Sequence, residues 1–190
     1  MCIRDSAYSC SQKGLSCPPG LGPFTMGPRA EAKMEARRDK VPNWYLDVSL
    51  LNKYWGSDRV YHHTAPVNMN FGMREALRLL AEEGLDQSWA RHRRNAEALW
   101  SGLEALGLEM VVPEEHRLPT LTTVRVPEGV DGKAFSQHLL NTHGIEVGGG
   151  LGSLAGKIWR IGLMGYNSTP ENVDRLLDLF KTELPSFKGT

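Results

Sequence analysis

The sequence has no charge of one sign to spare: Lys plus Arg and Asp plus Glu both number 22 in 190 residues. Without a basic excess there is no electrostatic footprint for nucleic acid or for an anionic membrane surface. A small molecule or another protein is the expected partner. Cysteine is scarce as well. The three cysteines, Cys2, Cys10 and Cys17, all fall in the first 17 residues. Their odd number and the lack of close pairs argue against a disulfide framework or a zinc site, so they read as free thiols in a reducing, intracellular compartment. No run of ~18 apolar residues is present, which excludes a membrane-spanning helix. The N-terminus lacks the apolar core of a signal peptide, and the final Lys188-Gly189-Thr190 does not match a peroxisomal Ser-Lys-Leu address. No serine–histidine–acid set or paired-carboxylate motif is evident. What remains, 41% hydrophobic and 23% charged residues, suits one sizeable domain or two small ones.

Periodicity divides the chain in two. Met1–Ser6 does not lead naturally into the residues after it and reads as a cloning or assembly scar. From there, Leu21–Met26 is expected to be extended and Arg29–Lys40 to be a charged helix with a thin apolar face. A helix opened by Pro42-Asn43 places Trp44, Val48, Leu51 and Trp55 at helical spacing and stops at Gly56. Another carries Met73, Leu77, Leu80 and Ala81 up to Gly84. The clearest helix steps through Leu85, Trp89, His92, Ala96, Leu99, Leu103 and Leu106 and stops at Gly107. Strands are expected at Met110–Val112 and Leu121–Val126, a helix over Asp131–Thr142, strands at Ile145–Val147 and Lys157–Leu163, and a last helix capped by Thr169 with Pro170 in its first turn. Residues 84–190 thus form an α+β unit with its own core. Residues 7–83 carry wide apolar faces and no sheet to bury them on.

Four groups of residues have chemistry to offer. Lys13, in Ser11-Gln12-Lys13-Gly14 before Pro18-Pro19-Gly20, is an amine among small residues where a carbonyl could approach and condense with it; most such lysines are simply solvated. Tyr61 and Thr64, in Tyr61-His62-His63-Thr64-Ala65-Pro66, offer two hydroxyls to an anion such as phosphate, or form a polar loop with an aromatic anchor. His62 and His63, adjacent on an extended loop, should point apart, and no metal is expected. Arg160, inside the apolar strand Ile158–Leu163, needs an anion if buried, and its planar fork fits a carboxylate; a structural ion pair, or an edge strand on which Arg160 points to water, would also explain it. Gly148-Gly149-Gly150-Leu151-Gly152 precedes that strand without the helix a phosphate loop requires and reads as a flexible loop opening a path to Arg160.

In their order, Ser-Gln-Lys with Pro-Pro-Gly, Trp44-Tyr45-Leu46-Asp47, Tyr61–Val67, Leu118-Pro119-Thr120, Gly149–Gly152 and Arg160–Gly165 resemble the alanine–glyoxylate (serine–pyruvate) aminotransferases of the class V pyridoxal-phosphate family. The resemblance implies an α/β fold of type I, represented here by a remnant of the large cofactor domain (7–83) and a complete small α+β domain (84–190). It implies pyridoxal 5′-phosphate as cofactor. Lys13 would be the Schiff-base lysine and the acid–base group at the substrate Cα, and Gln12 would lie beside the cofactor phosphate. Tyr61 and Thr64 would reach the phosphate of the neighbouring subunit's cofactor in a homodimer, while Arg160 would hold the α-carboxylate. The substrates would be an amino acid, alanine or serine, and a 2-oxo acid, glyoxylate or pyruvate. Peroxisome or mitochondrion would be the compartment.

Family members are roughly twice as long. The part before Lys13 would carry most of the large-domain sheet, the stacking aromatic and the aspartate at the cofactor ring nitrogen. The chain is therefore expected to be a C-terminal piece that binds cofactor weakly or not at all. Within the same family, a phosphoserine aminotransferase would want further cations, and a desulfurase would want a cysteine near Arg160. A non-enzymatic truncated chain is the third expectation.

Overall fold

The computed structural model describes residues 6–189; Cys2 and all but Ser6 of the segment read as a scar lie outside them. The backbone divides into two compact units, residues 6–12 with 17–75 and residues 13–16 with 76–189, the division falling inside a helix. Among the described residues no helix is long and apolar enough to cross a membrane.

The first unit opens with a two-stranded antiparallel ribbon, β1 (Ser6–Tyr8) against β2 (Phe24–Met26), in which Ser6 pairs with Met26. The charged helix α1 (Pro28–Glu35) buries nothing. The helix expected from Pro42-Asn43 is two pieces, a 3-10 turn over Trp44–Leu46 and α2 (Val48–Trp55). Asp47 breaks it: its carboxylate accepts from the Ser49 N–H (3.0 Å) and Oγ–H (2.6 Å), an N-cap that starts a new helix. In α2 only Leu51 is buried. Trp44, Tyr45, Leu46 and Trp55 are all more than half exposed. α3 (Val67–Glu83) begins after Pro66 and buries only Met73.

The second unit has a complete core. α4 (Leu85–Ala105) buries Leu99, Trp100 and Leu103, although the expected stripe members Leu85 and Trp89 at its start are exposed. After β3 (Leu121–Arg125) come α5 (Gly132–His143), the two-residue β4 (Gly148–Gly149), β5 (Ile158–Gly162) and α6 (Pro170–Glu183). The sheet order is β3-β5-β4, antiparallel throughout. Two expected strands are displaced. Met110–Val112 makes a single bridge to Val124 and one further backbone bond before Pro113 ends it. Ile145–Val147 is not a strand; pairing starts at the glycines, with Gly148 opposite Arg160. Strand alternation sends Val124, Trp159 and Ile161 into the core, where Phe135 meets Trp159, Phe180 and Phe187 edge-on at centroid distances of 5.0–5.5 Å. The buried indoles are satisfied: Trp159 Nε1–H donates to the Gly132 carbonyl (3.0 Å) and Trp100 Nε1–H to Thr122 Oγ1 (2.8 Å). α6 has the expected cap, Thr169 Oγ1 accepting from the Asn172 N–H, with Pro170 in the first turn.

Between β5 and α6 the chain makes a turn, Met164–Ser168, held from beneath by one face of α4. His92 Nε2 accepts the Gly165 N–H (2.8 Å), and its Nδ1–H donates to the Ser88 carbonyl (2.7 Å). Arg91 Nη1 donates to the carbonyls of Gly165 (3.0 Å) and Ser168 (2.7 Å), and Asn95 Nδ2 donates to Ser168 O (2.8 Å) and Oγ (3.2 Å). The other edge of the Arg91 guanidinium meets Glu83 two-to-two, at 2.5 and 2.9 Å. The short segment 13–16 docks on the top of this turn: Ser16 Oγ accepts the Tyr166 N–H (2.8 Å). Gly165 lies in the left-handed region (φ 61°), and a Cβ there would overlap Ser16 Oγ and stand 2.9 Å from the Gly14 carbonyl.

Gly165→Ala therefore costs about 1–3 kcal/mol of backbone strain and lifts residues 13–16 off the turn. Trypsin cleavage after Lys13, followed by mass spectrometry, should be clearly faster in the variant than in the parent; an unchanged rate would refute the docking. The Glu83–Arg91 pair makes a pH prediction. Hydrogen bonding from Arg91 holds the Glu83 carboxyl below its ordinary value of 4.5 against the opposing effect of burial. The lowered folded-state pKa means that the pair stabilises the unit above the unfolded value and that this contribution fades as pH falls through the folded one. The difference in urea midpoint between the parent and Glu83→Gln should be largest near neutrality and should shrink steadily below about pH 4.5.

Candidate functional site

Lys13 sits at the exposed crest of a tight turn closed by the Ser16 N–H on the Lys13 carbonyl (2.9 Å). Ser11 is fully buried, and its Oγ–H donates to the Pro18 carbonyl (2.7 Å). Ser16, at positive φ (53°), is held by Tyr166. A Cβ at Gly14 would meet nothing within 4 Å, so the space beside Lys13 is open. Lys13 has no ion-pair partner among the described residues. Gln12, next to it, is exposed.

Arg160 stands in the middle strand of the sheet, half-buried, with Thr123 opposite it on β3 and Gly148 opposite it on β4. Its Nε–H donates to the Gly149 carbonyl at 2.6 Å. No carboxylate among the described residues pairs with it, so the structural ion pair that would otherwise explain a strand arginine is not formed. The Thr123 side chain shares this face, and its Oγ1 is buried without a hydrogen-bond partner. The glycine run is not the free loop expected. Gly148 and Gly149 are laddered to β5, and the Gly150 N–H donates to the Ile158 carbonyl (3.1 Å). Of these glycines, Gly150 is required by close approach: a Cβ there would collide with the Leu154 carbonyl, whereas one at Gly148 would stand at ordinary contact distance, 3.5 Å, from Arg160 Nη2 and one at Gly149 would meet nothing within 4 Å.

Lys13 and Arg160 belong to the same unit, and the turn Met164–Ser168 links them. That turn ends the strand of Arg160 and carries the dock for Ser16. The remaining site residues lie in the other unit. There the Tyr61 Oη and Thr64 Oγ1 are hydrogen-bonded at 2.8 Å, so of two hydroxyls, one proton is spent between them and the other stays available. Tyr61 is exposed, and its ring meets Tyr54 edge-on at 5.9 Å. The two histidines do not point apart as expected: their Nδ1 atoms are 2.9 Å from each other. The reason is Trp44. His62 stacks on its ring (centroids 4.0 Å, 17°) with Nε2 at 3.1 Å from the Trp44 carbonyl, which turns the imidazole back toward His63.

Sequence reading misses the residues that position Lys13 and Arg160. Ser16, Gly165, Arg91 and Asn95 give no signal beyond ordinary polarity. His92 gives one: it stands in an apolar stripe, where a buried histidine needs partners for both nitrogens.

A family model for aminotransferase class-V matches residues 4–176, and members of that family use pyridoxal phosphate. An alanine–glyoxylate aminotransferase of Oryctolagus cuniculus is 45% identical over 184 residues, 95% of this chain and 47% of the relative. A solved alanine–glyoxylate aminotransferase from Nostoc sp. is 64% identical with a TM-score of 0.89, over 92% of this chain and 46% of that one. The ureidoglycine–glyoxylate aminotransferase of Bacillus subtilis superposes with a TM-score of 0.93 at 39% identity, over 96% and 47% of the two chains. The chain spans about half the length of the relatives it matches, and its mixed α/β structure corresponds to about half of the fold type I aminotransferases. By the extent of the match and the identity of these relatives, the chain belongs to the class-V aminotransferase family.

Proposed function

We propose that this chain carries the lysine-bearing and carboxylate-binding part of a transaminase that moves an amino group from alanine or serine to glyoxylate or pyruvate, leaving a 2-oxo acid and forming a new amino acid. The observation that carries the reading is Arg160: a strand arginine with its Nε fixed by the Gly149 carbonyl and no carboxylate partner among the described residues. Its Nη groups remain to pair with the α-carboxylate common to all four substrates. Several relatives are alanine–glyoxylate aminotransferases, which supports the choice of substrates.

The residues present fit pyridoxal phosphate by the chemistry of their donors: an open primary amine at Lys13 and a hydroxyl pair at Tyr61 and Thr64. When bound, the cofactor supplies a carbonyl that condenses with amines and a ring that withdraws electrons. Lys13 Nζ provides the amine for attachment. Once released, it would hold and move the proton at the substrate Cα, where proximity makes an amine an effective acid–base group. Gln12, Tyr61 and Thr64 would hold the phosphate, the last two for the other subunit of a homodimer. The desulfurase alternative within the family has little support, since Cys17 is buried and Cys10 half-buried in the turn region before Pro18.

Titration with pyridoxal phosphate, borohydride reduction and peptide mapping test this reading. The pyridoxyl group should be found on Lys13, with weak overall binding, and Lys13→Ala should remove that label. Arg160→Gln should leave labelling intact and weaken protection by an alanine-like carboxylate about 10–100-fold, the worth of a hydrogen-bonded charge pair. A label spread over surface lysines with Lys13 untouched would overturn it.

A further inference from the structure

A second cluster of chemistry-bearing side chains lies at the ends of two helices of the small unit. His138 and His143 are on α5 and Glu183 is the last residue of α6. The ligand-capable atoms of all three lie within 4.8 Å of one another, the one such trio found among the described residues. His143 Nε2 is 2.8 Å from Glu183 Oε1, and His138 Nε2 touches Glu183 Oε2. All three side chains are between about a quarter and a third exposed, reachable by an ion from solvent.

Two details separate this trio from an ordinary helix clamp. The His143 Nε2 atom is buried and has no hydrogen-bond partner, although Glu183 is close. The contact has the length of an ion pair without the directionality of a hydrogen bond. His143 Nε2 therefore converges on the carboxylate without being served by it. Second, His138 is oriented from behind: its Nδ1 is 3.2 Å from Thr142 Oγ1, which leaves Nε2 directed at Glu183. An imidazole fixed through its far nitrogen is the arrangement that surrounds metal-bound histidines. The His138 ring also packs on Phe187 (5.2 Å), limiting its swing.

We propose that His138, His143 and Glu183 form a divalent transition-metal site of the zinc class. Two imidazole nitrogens and one carboxylate oxygen would bind the ion, with a fourth position left to water. The ligand types suit zinc, whose imidazole and carboxylate bonds of about 2.0–2.2 Å in a tetrahedral site put donor atoms roughly 3.4 Å apart. That spacing lies between the contacts present here and the 4.8 Å span of the trio. Binding would tie the C-terminal end of α5 to the C-terminal end of α6. Its place in the molecule is structural or regulatory; nothing in the transamination chemistry requires it.

The test uses the full chain, freed of metal with EDTA, and zinc sulfate as the titrant in calorimetry and thermal melting. One zinc per chain and a higher melting temperature with zinc are expected. His143→Ala and Glu183→Gln should each weaken binding by at least about 10-fold, and Thr142→Val, which removes only the orienting hydroxyl, by about 10-fold. Glu183→Gln keeps the side-chain shape, so it carries the test if His143→Ala fails to fold. His63→Ala should leave binding unchanged, and Co²⁺ in place of zinc should give the visible bands of a four- or five-coordinate nitrogen–oxygen site. The proposal is overturned if the parent chain takes up no zinc, or if Glu183→Gln binds it as tightly as the parent. It is also overturned if the affinity follows His63, or if the variants lower the melting temperature without zinc ever raising it; the last result would make the trio a plain helix clamp.

Discussion

The hydrogen bond from the Gly165 N–H to His92 Nε2 anchors the arrangement on which both Lys13 and Arg160 depend. α4 is otherwise a core helix, yet one face carries Arg91, His92 and Asn95, all directed at backbone groups of a single turn. Each bond is worth about 1 kcal/mol net, but leaving one of these buried backbone groups without a partner costs about 1–3 kcal/mol. The set therefore holds or fails together. On its upper side, the same turn has room for Ser16 only because residue 165 has no side chain. The segment bearing the amine and the strand bearing the guanidinium thus meet the same turn.

How much of this is legible in the sequence depends on where the information resides. α4, α5 and α6 are readable because their apolar periods, Asp131 and Thr169 caps and the left-handed Gly144 are local signals. Two strands are displaced from their expected places because pairing is not local. Ile145–Val147 has a better β composition than Gly148-Gly149, but the residues that pair with Arg160 and Trp159 are the glycines, a register that no local pattern announces. The helix expected from Trp44 to Trp55 is broken by a side chain, Asp47, whose capping bond outweighs a continuous apolar face. Site residues with unusual chemistry in unusual places, such as Arg160 in an apolar strand, can be singled out. Residues that position them cannot, because Ser16 and Tyr166 meet across 150 positions of sequence.

The first unit follows a different logic. Its aromatic residues form a local cluster rather than a core. Trp44 stacks on His62, Tyr45 and Tyr54 meet His63, and Tyr54 meets Tyr61. This cluster fixes the loop bearing Tyr61 and Thr64 while leaving Trp44, Tyr45, Leu46, Trp55 and Phe71 more than half exposed. Order in that segment comes from ring contacts and one deeply buried histidine. The second unit, by contrast, is ordered by a packed interior of Phe135, Trp159 and Phe180.

The small sheet also has a consequence for how the chain behaves in company. An open strand edge is a template on which another chain can add itself, and short or covered edges are how proteins avoid aggregation. Here one outer strand, β4, is only two residues long and bears no side chains to build a dry interface. The other, β3, has its free side taken up by residues 109–111: the Arg125 N–H donates to the Glu109 carbonyl, and the Val111 N–H to the Thr123 carbonyl. The two-residue glycine strand that pairs beside Arg160 thus also leaves the sheet with little edge for a neighbouring molecule to extend.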